Sequence, residues 1–191
     1  MNTTLNNESQ FSLPDSFLEE CIQLADYVLL QEQAPLNAVV SVTLVDNEII
    51  ANMNQEYRGK QGPTDVLSFP CDDSAEATNA AVTVAAEIGD DDPTAIYWAE
   101  FDAVDDEKPL LLGDVVIAPQ IAAEQSSDIE DELRLLLVHG ILHLLGYDHE
   151  NDEGQAEEME QHEQELLRDW TELTAAESHQ NTCSGNCCGG L

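Results

Sequence analysis

Three histidines fall in one short run, His139, His143 and His149 of HGILHLLGYDH, and their spacing suits a metal ion. The first two are four residues apart, so on a helix they leave one face a turn apart and can grip a single ion. Gly146 can end that helix in a left-handed cap, and Tyr147 and Asp148 then carry the chain round so that His149 closes the grip. Three neutral imidazoles suit one zinc ion per chain. Three protein ligands rather than four leave a position for water, the usual difference between a catalytic zinc and a structural one. Imidazole also ligates nickel, copper and iron, so the residues alone leave the native metal open. A buried histidine is more often a hydrogen-bonded core residue, but the chain has only five histidines and three of them share this segment.

Zinc held in this way lowers the pKa of its water to roughly 7 and polarises a carbonyl or phosphoryl oxygen, which makes hydrolysis the expected chemistry. A peptidase of the H-E-x-x-H type needs a glutamate directly after its first histidine, and here that position is Gly140. Asp148 or Glu150 could act as a base instead. Asp148 could equally orient an imidazole or simply turn the chain.

The elements that must position these residues are legible from periodicity. Ser16 and Glu19 have capping-box spacing, and Phe17, Leu18, Cys21, Ile22, Ala25, Val28 and Leu29 then recur at helical intervals, predicting a helix over 16–32. Residues 38–45 read as a strand covered on both sides. Asp46 can cap a second helix with a stripe of Ile49, Met53 and Tyr57, ending at Gly59. Residues 66–69, 96–101 and 110–118 read as three more strands, the last two joined by a hairpin over 102–109. Pro119 begins a short helix. Residues 129–145 form a helix apolar nearly all round and therefore buried, with the histidines facing whatever cavity the core leaves. Asn151 or Asp152 caps a last helix ending near Trp170 and held by Met159, Leu166, Leu167 and Trp170. The expected fold is α+β, a four-stranded mixed sheet covered by helices, with the metal site on a buried helix and the turn after it.

With 191 residues, 42% of them hydrophobic, the chain can build one sizeable core. The expected organisation is a flexible N-terminal segment at 1–14, one metallohydrolase domain at 15–172 with an acidic inserted loop at 72–92, and a disordered tail at 173–191. The start lacks a signal-peptide pattern, and 135–145 is too short an apolar run to span a bilayer, so a cytoplasmic protein without membrane contact is expected. Cys21 and Cys71 behave as small buried hydrophobes, whereas Cys183, Cys187 and Cys188 lie in the tail near His179. That Cys/His tract suits either a scavenger of soft metal ions or a disordered tail with incidental thiols.

Forty acidic residues against five basic ones leave a formal net charge of -35. Such a surface repels polyanions at low salt. At ~1 M salt the Debye length is only about 3 Å, so distant carboxylates cease to matter while local contacts persist. A salt-adapted source reconciles the charge with an anionic substrate. The basic residues are Arg58, Lys60, Lys108, Arg134 and Arg168; Lys108 and Arg168 read as ordinary surface charge.

HGILHLLGYDH, together with EYRGKQGPTDVLSFP and LLGDVVIAP before it, resembles the YbeY family of bacterial endoribonucleases over about residues 15–172. The histidine block is highly specific; the other two persuade by order and spacing. The resemblance implies a zinc-dependent, single-strand-specific endoribonuclease that matures the 3′ end of small-subunit rRNA and serves ribosome quality control. Its partners would be single-stranded rRNA and the small ribosomal subunit or associated proteins, with no DNA. It also implies that His139, His143 and His149 ligate zinc and that Arg58 is the basic residue of the active-site cleft. A guanidinium there can hold a phosphodiester through two parallel hydrogen bonds. The bland alternative for Arg58 is a cation favoured by the helix macrodipole. For Lys60 an ordinary surface charge is the better reading.

The chain departs from the family pattern in its longer acidic stretch, its overall acidity and its cysteine tail. RNA binding must therefore rely on a local focus of zinc, Arg58 and Lys60, to which Arg134 could add. Both a metal hydroxide and the ribose 2′-hydroxyl stay open as nucleophile. Two other functions fit the same residues: a metallopeptidase, and a zinc-stabilised ribosome-assembly factor without catalysis. A salt-adapted surface predicts that folding and activity rise from ~0.1 M towards ~1 M salt; thermal melts and turnover across that range check it, and an optimum at low salt contradicts it.

Overall fold

The computed structural model describes residues 3–71, 109–147 and 153–183. The expected strand at 96–101, nearly all of the hairpin at 102–109, the whole acidic insertion at 72–92, Lys108, Asp148, His149, Glu150, Cys187 and Cys188 lie outside the described residues. The chain divides into two compact units, Met1–Asp148 and His149–Leu191. The first contains, in order, β1 (Thr4–Asn7), α1 (Asp15–Gln31), β2 (Ala38–Leu44), α2 (Asn47–Arg58), β3 (Val66–Pro70), β4 (Leu110–Ile117), α3 (Pro119–Gln125) and α4 (Ile129–Leu144). The second holds one long helix, α5 (Glu153–Cys183).

Among the described residues the sheet has four strands in the order β1-β2-β4-β3. β2 pairs in parallel with β1 and β4, and β3 runs antiparallel to β4. This is the mixed α+β sheet expected, and it includes a strand that was not expected, β1. The segment expected to be flexible at 1–14 contains edge strand β1. Its four residues show no alternation, and only Leu5 is apolar. The pairing comes from the exposed backbone of β2, which no side-chain pattern announces. Thr3 adds a hydroxyl hydrogen bond to Asp26 at 2.7 Å, tying the strand to α1.

Successive side chains of a strand face opposite ways, so each sheet face has its own cover. On one face Phe17, Cys21, Leu133 and Leu137 of α1 and α4 surround Val42, Leu44 and Ile117. On the other, Ile50 packs with Val45, Leu67, Val116 and Ala118, with Met53 and Phe69 against them. The apolar stripe of α2 is therefore offset from the expected one. Ile50 and Asn54 are buried, while Ile49 is 39% and Tyr57 64% exposed. Asn54 explains the rotation, because its amide donates to the Gly62 carbonyl at 2.9 Å and pins the loop that leads into β3.

Two expected caps take other forms. α1 starts after Pro14, whose carbonyl accepts from Phe17 and Leu18, and no capping box forms. Asp46 occupies the N-cap of α2, but its carboxylate accepts from the backbone and side chain of Gln10 instead. The last helix also passes well beyond Trp170 to Cys183, into the segment expected as tail. Thr171 and Thr174 satisfy their hydroxyls on carbonyls of the preceding turn, so these residues do not interrupt it.

Arg134 clamps α4 to α1. It reaches both carboxylate oxygens of Glu20, at 2.9 and 3.3 Å, donates to Asp131 at 2.7 Å and lies over the Phe17 ring. Burial works against its charge, yet Glu20, Asp131 and Glu130 outweigh burial and hold its pKa above the usual value. The guanidinium thus serves the interface between α1 and α4.

Below the same clamp, burial first and the Glu20 charge second push the Cys21 thiol up to about 12. An unfolded thiol ionises near pH 8.5. The folded state keeps its proton where the unfolded state has lost it, so Cys21 costs no stability below about pH 8.5 and progressively more between that value and about 12. Urea melts at about pH 8 and about pH 10.5 should show a loss that is smaller in Cys21→Ala; equal losses in both proteins contradict this environment.

Candidate metal centre

The site is built on the C-terminal half of α4. Asp128 caps the helix by accepting from the Asp131 amide, and Glu130, Asp131 and Glu132 in its first turn complement the positive end of the dipole. At the far end Gly146 adopts φ 95°, the left-handed cap that the glycine predicts. The Gly146 amide donates to the His143 carbonyl and the Tyr147 amide to the Leu142 carbonyl, each at 3.1 Å, which is the Schellman pairing. A residue with a Cβ would be strained in that conformation.

This cap reverses the chain tightly enough for the Tyr147 carbonyl to meet the ring of His143, at 2.9 Å from Nδ1. A carbonyl can only accept, so Nδ1 carries a proton, and in the neutral ring Nε2 then presents a lone pair. The His143 Nε2 lies 3.1 Å from Nε2 of His139, with the rings nearly perpendicular. Two nitrogens ~2.0–2.1 Å from one tetrahedral ion lie about 3.3 Å apart. The pair is thus already close to the separation a shared zinc requires. Both rings are half-buried on a helix whose neighbours Leu142, Leu144 and Ile141 are buried. No group of three or more metal-binding side chains occurs among the described residues.

Gly140 lies about 100° round the helix from His139 and faces the sheet. A Cβ there would stand 2.5 Å from Cγ1 of Val115 and 3.3 Å from Oγ of Ser68. Ser68 also donates its hydroxyl to the Gly140 carbonyl at 3.1 Å. The position at which an H-E-x-x-H peptidase carries its glutamate is therefore a packing contact, turned away from the paired imidazoles.

Arg58 is exposed at the C-terminal end of α2, beside Gly59 in its left-handed cap and the exposed Lys60. α2 covers the sheet face opposite α4, with β3 as the edge strand among the described residues. The structure brings His139 and His143 together and places Arg58 at the exposed C-terminal end of α2. Sequence reading passed over Glu32 and Ser68, and took Tyr147 only as a turn residue. Glu32 accepts from the Tyr147 hydroxyl at 2.7 Å while only 8% exposed. The signal that could have marked it is a carboxylate at the negative end of α1, where a cation is the favoured residue.

A mixed α+β sheet whose buried helix ends in two converging imidazoles defines the class. Within it, the family model described as Endoribonuclease YbeY matches residues 3–171. An Endoribonuclease YbeY from Renibacterium salmoninarum is 37% identical over 161 residues, 82% of this chain and 85% of that one. Others from Geobacillus thermodenitrificans and Bacillus subtilis are 41% and 36% identical, over 71% and 82% of this chain and 74% and 87% of theirs. The chain belongs to the endoribonuclease YbeY family and is a hydrolase.

The crowding at Gly140 decides between two opposed effects of adding a methyl group. Alanine in a helix gains about 1 kcal/mol over glycine, but overpacking against a β-branched side chain costs about 1–3 kcal/mol. Gly140→Ala should therefore lower stability by about 1 kcal/mol, and Val115→Ala in the same chain should recover part of the loss. Denaturant melts of the wild type and these two variants measure this; a stabilised Gly140→Ala contradicts the contact.

Proposed function

We propose that this protein is a zinc-dependent endoribonuclease that cuts single-stranded RNA, acting in maturation of the 3′ end of small-subunit rRNA and in ribosome quality control. Family membership supports RNA as the substrate class. The observation that carries the metal reading is the 3.1 Å approach of the two Nε2 atoms, with the proton of His143 held on its other nitrogen. His149, next in the run, would complete three imidazoles. Bound there, zinc supplies Lewis acidity towards a phosphoryl oxygen and makes water acidic near neutral pH.

The chain's own residues have distinct parts in this reading. The Tyr147 carbonyl keeps the His143 lone pair turned to the centre. Arg58 would hold the phosphodiester through paired hydrogen bonds and offset charge developing on its oxygens. Lys60 adds local positive potential beside it, which matters on a chain of net charge -35.

The two rivals lose support from packing. A peptidase lacks room for its glutamate at Gly140. A purely structural ion would suit imidazoles sealed in the core, whereas both described rings are half-buried.

Zinc content and cleavage of a single-stranded RNA by wild type, His143→Ala and Arg58→Ala test the assignment. The wild type should hold one zinc per chain and cleave. His143→Ala should fold, lose zinc and lose cleavage. Arg58→Ala should keep zinc and cleave about 100-fold more slowly. A folded His143→Ala that still cleaves overturns the metal mechanism, and a fully active Arg58→Ala overturns the role of the guanidinium.

A further inference from the structure

Glu32 stands where three local preferences oppose it. It is a carboxylate only 8% exposed, and buried charge is costly without strong partners. It caps the C-terminus of α1, the negative end of the helix dipole. It is followed by Gln33 at φ 55°, the one non-glycine among the described residues with a positive φ. Gln33 completes a Schellman pairing, with Gln33 to Leu30 at 3.1 Å and Ala34 to Leu29 at 2.9 Å. Glycine normally fills that position. A helix end that keeps a buried acidic side chain and a glutamine in the left-handed region is positioned for something besides its own stability.

That something is the other Schellman turn. The Glu32 Oε2 accepts from the Tyr147 hydroxyl at 2.7 Å, and the Tyr147 carbonyl accepts from Nδ1 of His143 at 2.9 Å. One residue thus links the end of α1 to the ring at the metal centre. Its side chain is anchored on Glu32, and its main chain holds the imidazole. We propose that Glu32 and Tyr147 are positioning residues, a tether from α1 that fixes the tautomer and ring orientation of His143. Without the hydroxyl anchor the cap turn can shift, the carbonyl leaves Nδ1, and the proton can move to Nε2, which then can no longer donate a lone pair.

The consequence for zinc affinity rests on the metal reading above; the consequence for the tautomer does not. The test uses the full chain. Long-range nitrogen–proton NMR of the histidine rings, after chelator treatment, reads the tautomer of His143. Competition with a chromophoric chelator reads zinc affinity. Tyr147→Phe keeps the ring and the main chain and removes only the hydroxyl.

Wild type should show His143 protonated at Nδ1, and Tyr147→Phe a mixture of tautomers with zinc bound about 10- to 100-fold more weakly. Glu32→Ala should match it, the double variant should lose little more, and Glu32→Gln, which still offers an oxygen, should restore most of the affinity. Should Glu32→Ala fail to fold, the Tyr147→Phe spectrum decides alone. An unchanged tautomer together with unchanged zinc affinity in Tyr147→Phe overturns the tether. A wild type that holds no zinc, yet whose tautomer is released by Tyr147→Phe, keeps the tether and overturns the metal reading.

Discussion

The close approach of α4 to the sheet at Gly140 is the constraint on which the site depends. With no side chain there, the helix lies directly against Val115 of β4, and its carbonyl comes within reach of Ser68 on β3. Helix depth and rotation are fixed together. A second glycine supports the same footprint from the sheet side. Gly113 has φ 146°, and a Cβ on it would meet the Phe69 carbonyl and lie 2.9 Å from Leu144 of α4. The pairing of β2 and β4 slips between Val39 and Val40, which leaves Leu112 without a register partner just before that glycine. Once the helix is seated on these two points, the faces available to its remaining residues are settled, and His139 and His143 fall on one of them.

The ends of the two packed helices carry the finer control. Both α1 and α4 finish in the same paired hydrogen-bond cap, one on Gln33 and the other on Gly146. The cap of α4 is what returns a carbonyl to the ring two positions inside the helix. Side-chain packing alone would leave the imidazole free to rotate about two torsions, whereas a hydrogen bond to a fixed carbonyl selects one orientation and one tautomer. Arg134 holds the opposite end of the α1–α4 interface through Glu20, so the pair is fastened along its length. Using one of five basic residues in this way, on a chain with forty acidic ones, leaves Arg58 and Lys60 as the exposed cations of the described part of the first unit.

Much of this was legible from residue order. The two histidines on one face, the glycine that ends their helix, the burial of that helix and the class of fold follow from periodicities that local sterics impose. What escaped had other causes. β1 is four residues long with one apolar side chain, and it exists because β2 offers an unpaired edge. The offset stripe of α2 depends on Asn54 finding the Gly62 carbonyl, a contact across the loop. Asp46 has cap chemistry but spends it on Gln10, whose position only the folded N-terminal segment determines. Pattern reasoning treats each polar side chain as serving its nearest backbone, and these serve more distant ones.

By itself, then, residue order determined which imidazoles exist, how far apart along a helix they stand and where that helix stops, because a 3.6-residue repeat and a left-handed glycine act within one turn. Tertiary structure decided the rest. That Gly140 is a packing contact, that Arg134 clamps two helices together, and that Glu32 reaches Tyr147 across 115 residues of sequence are matters of what the packed sheet brings near. Spacing along a chain cannot encode which distant groups share a low-dielectric neighbourhood; only closing the core does that.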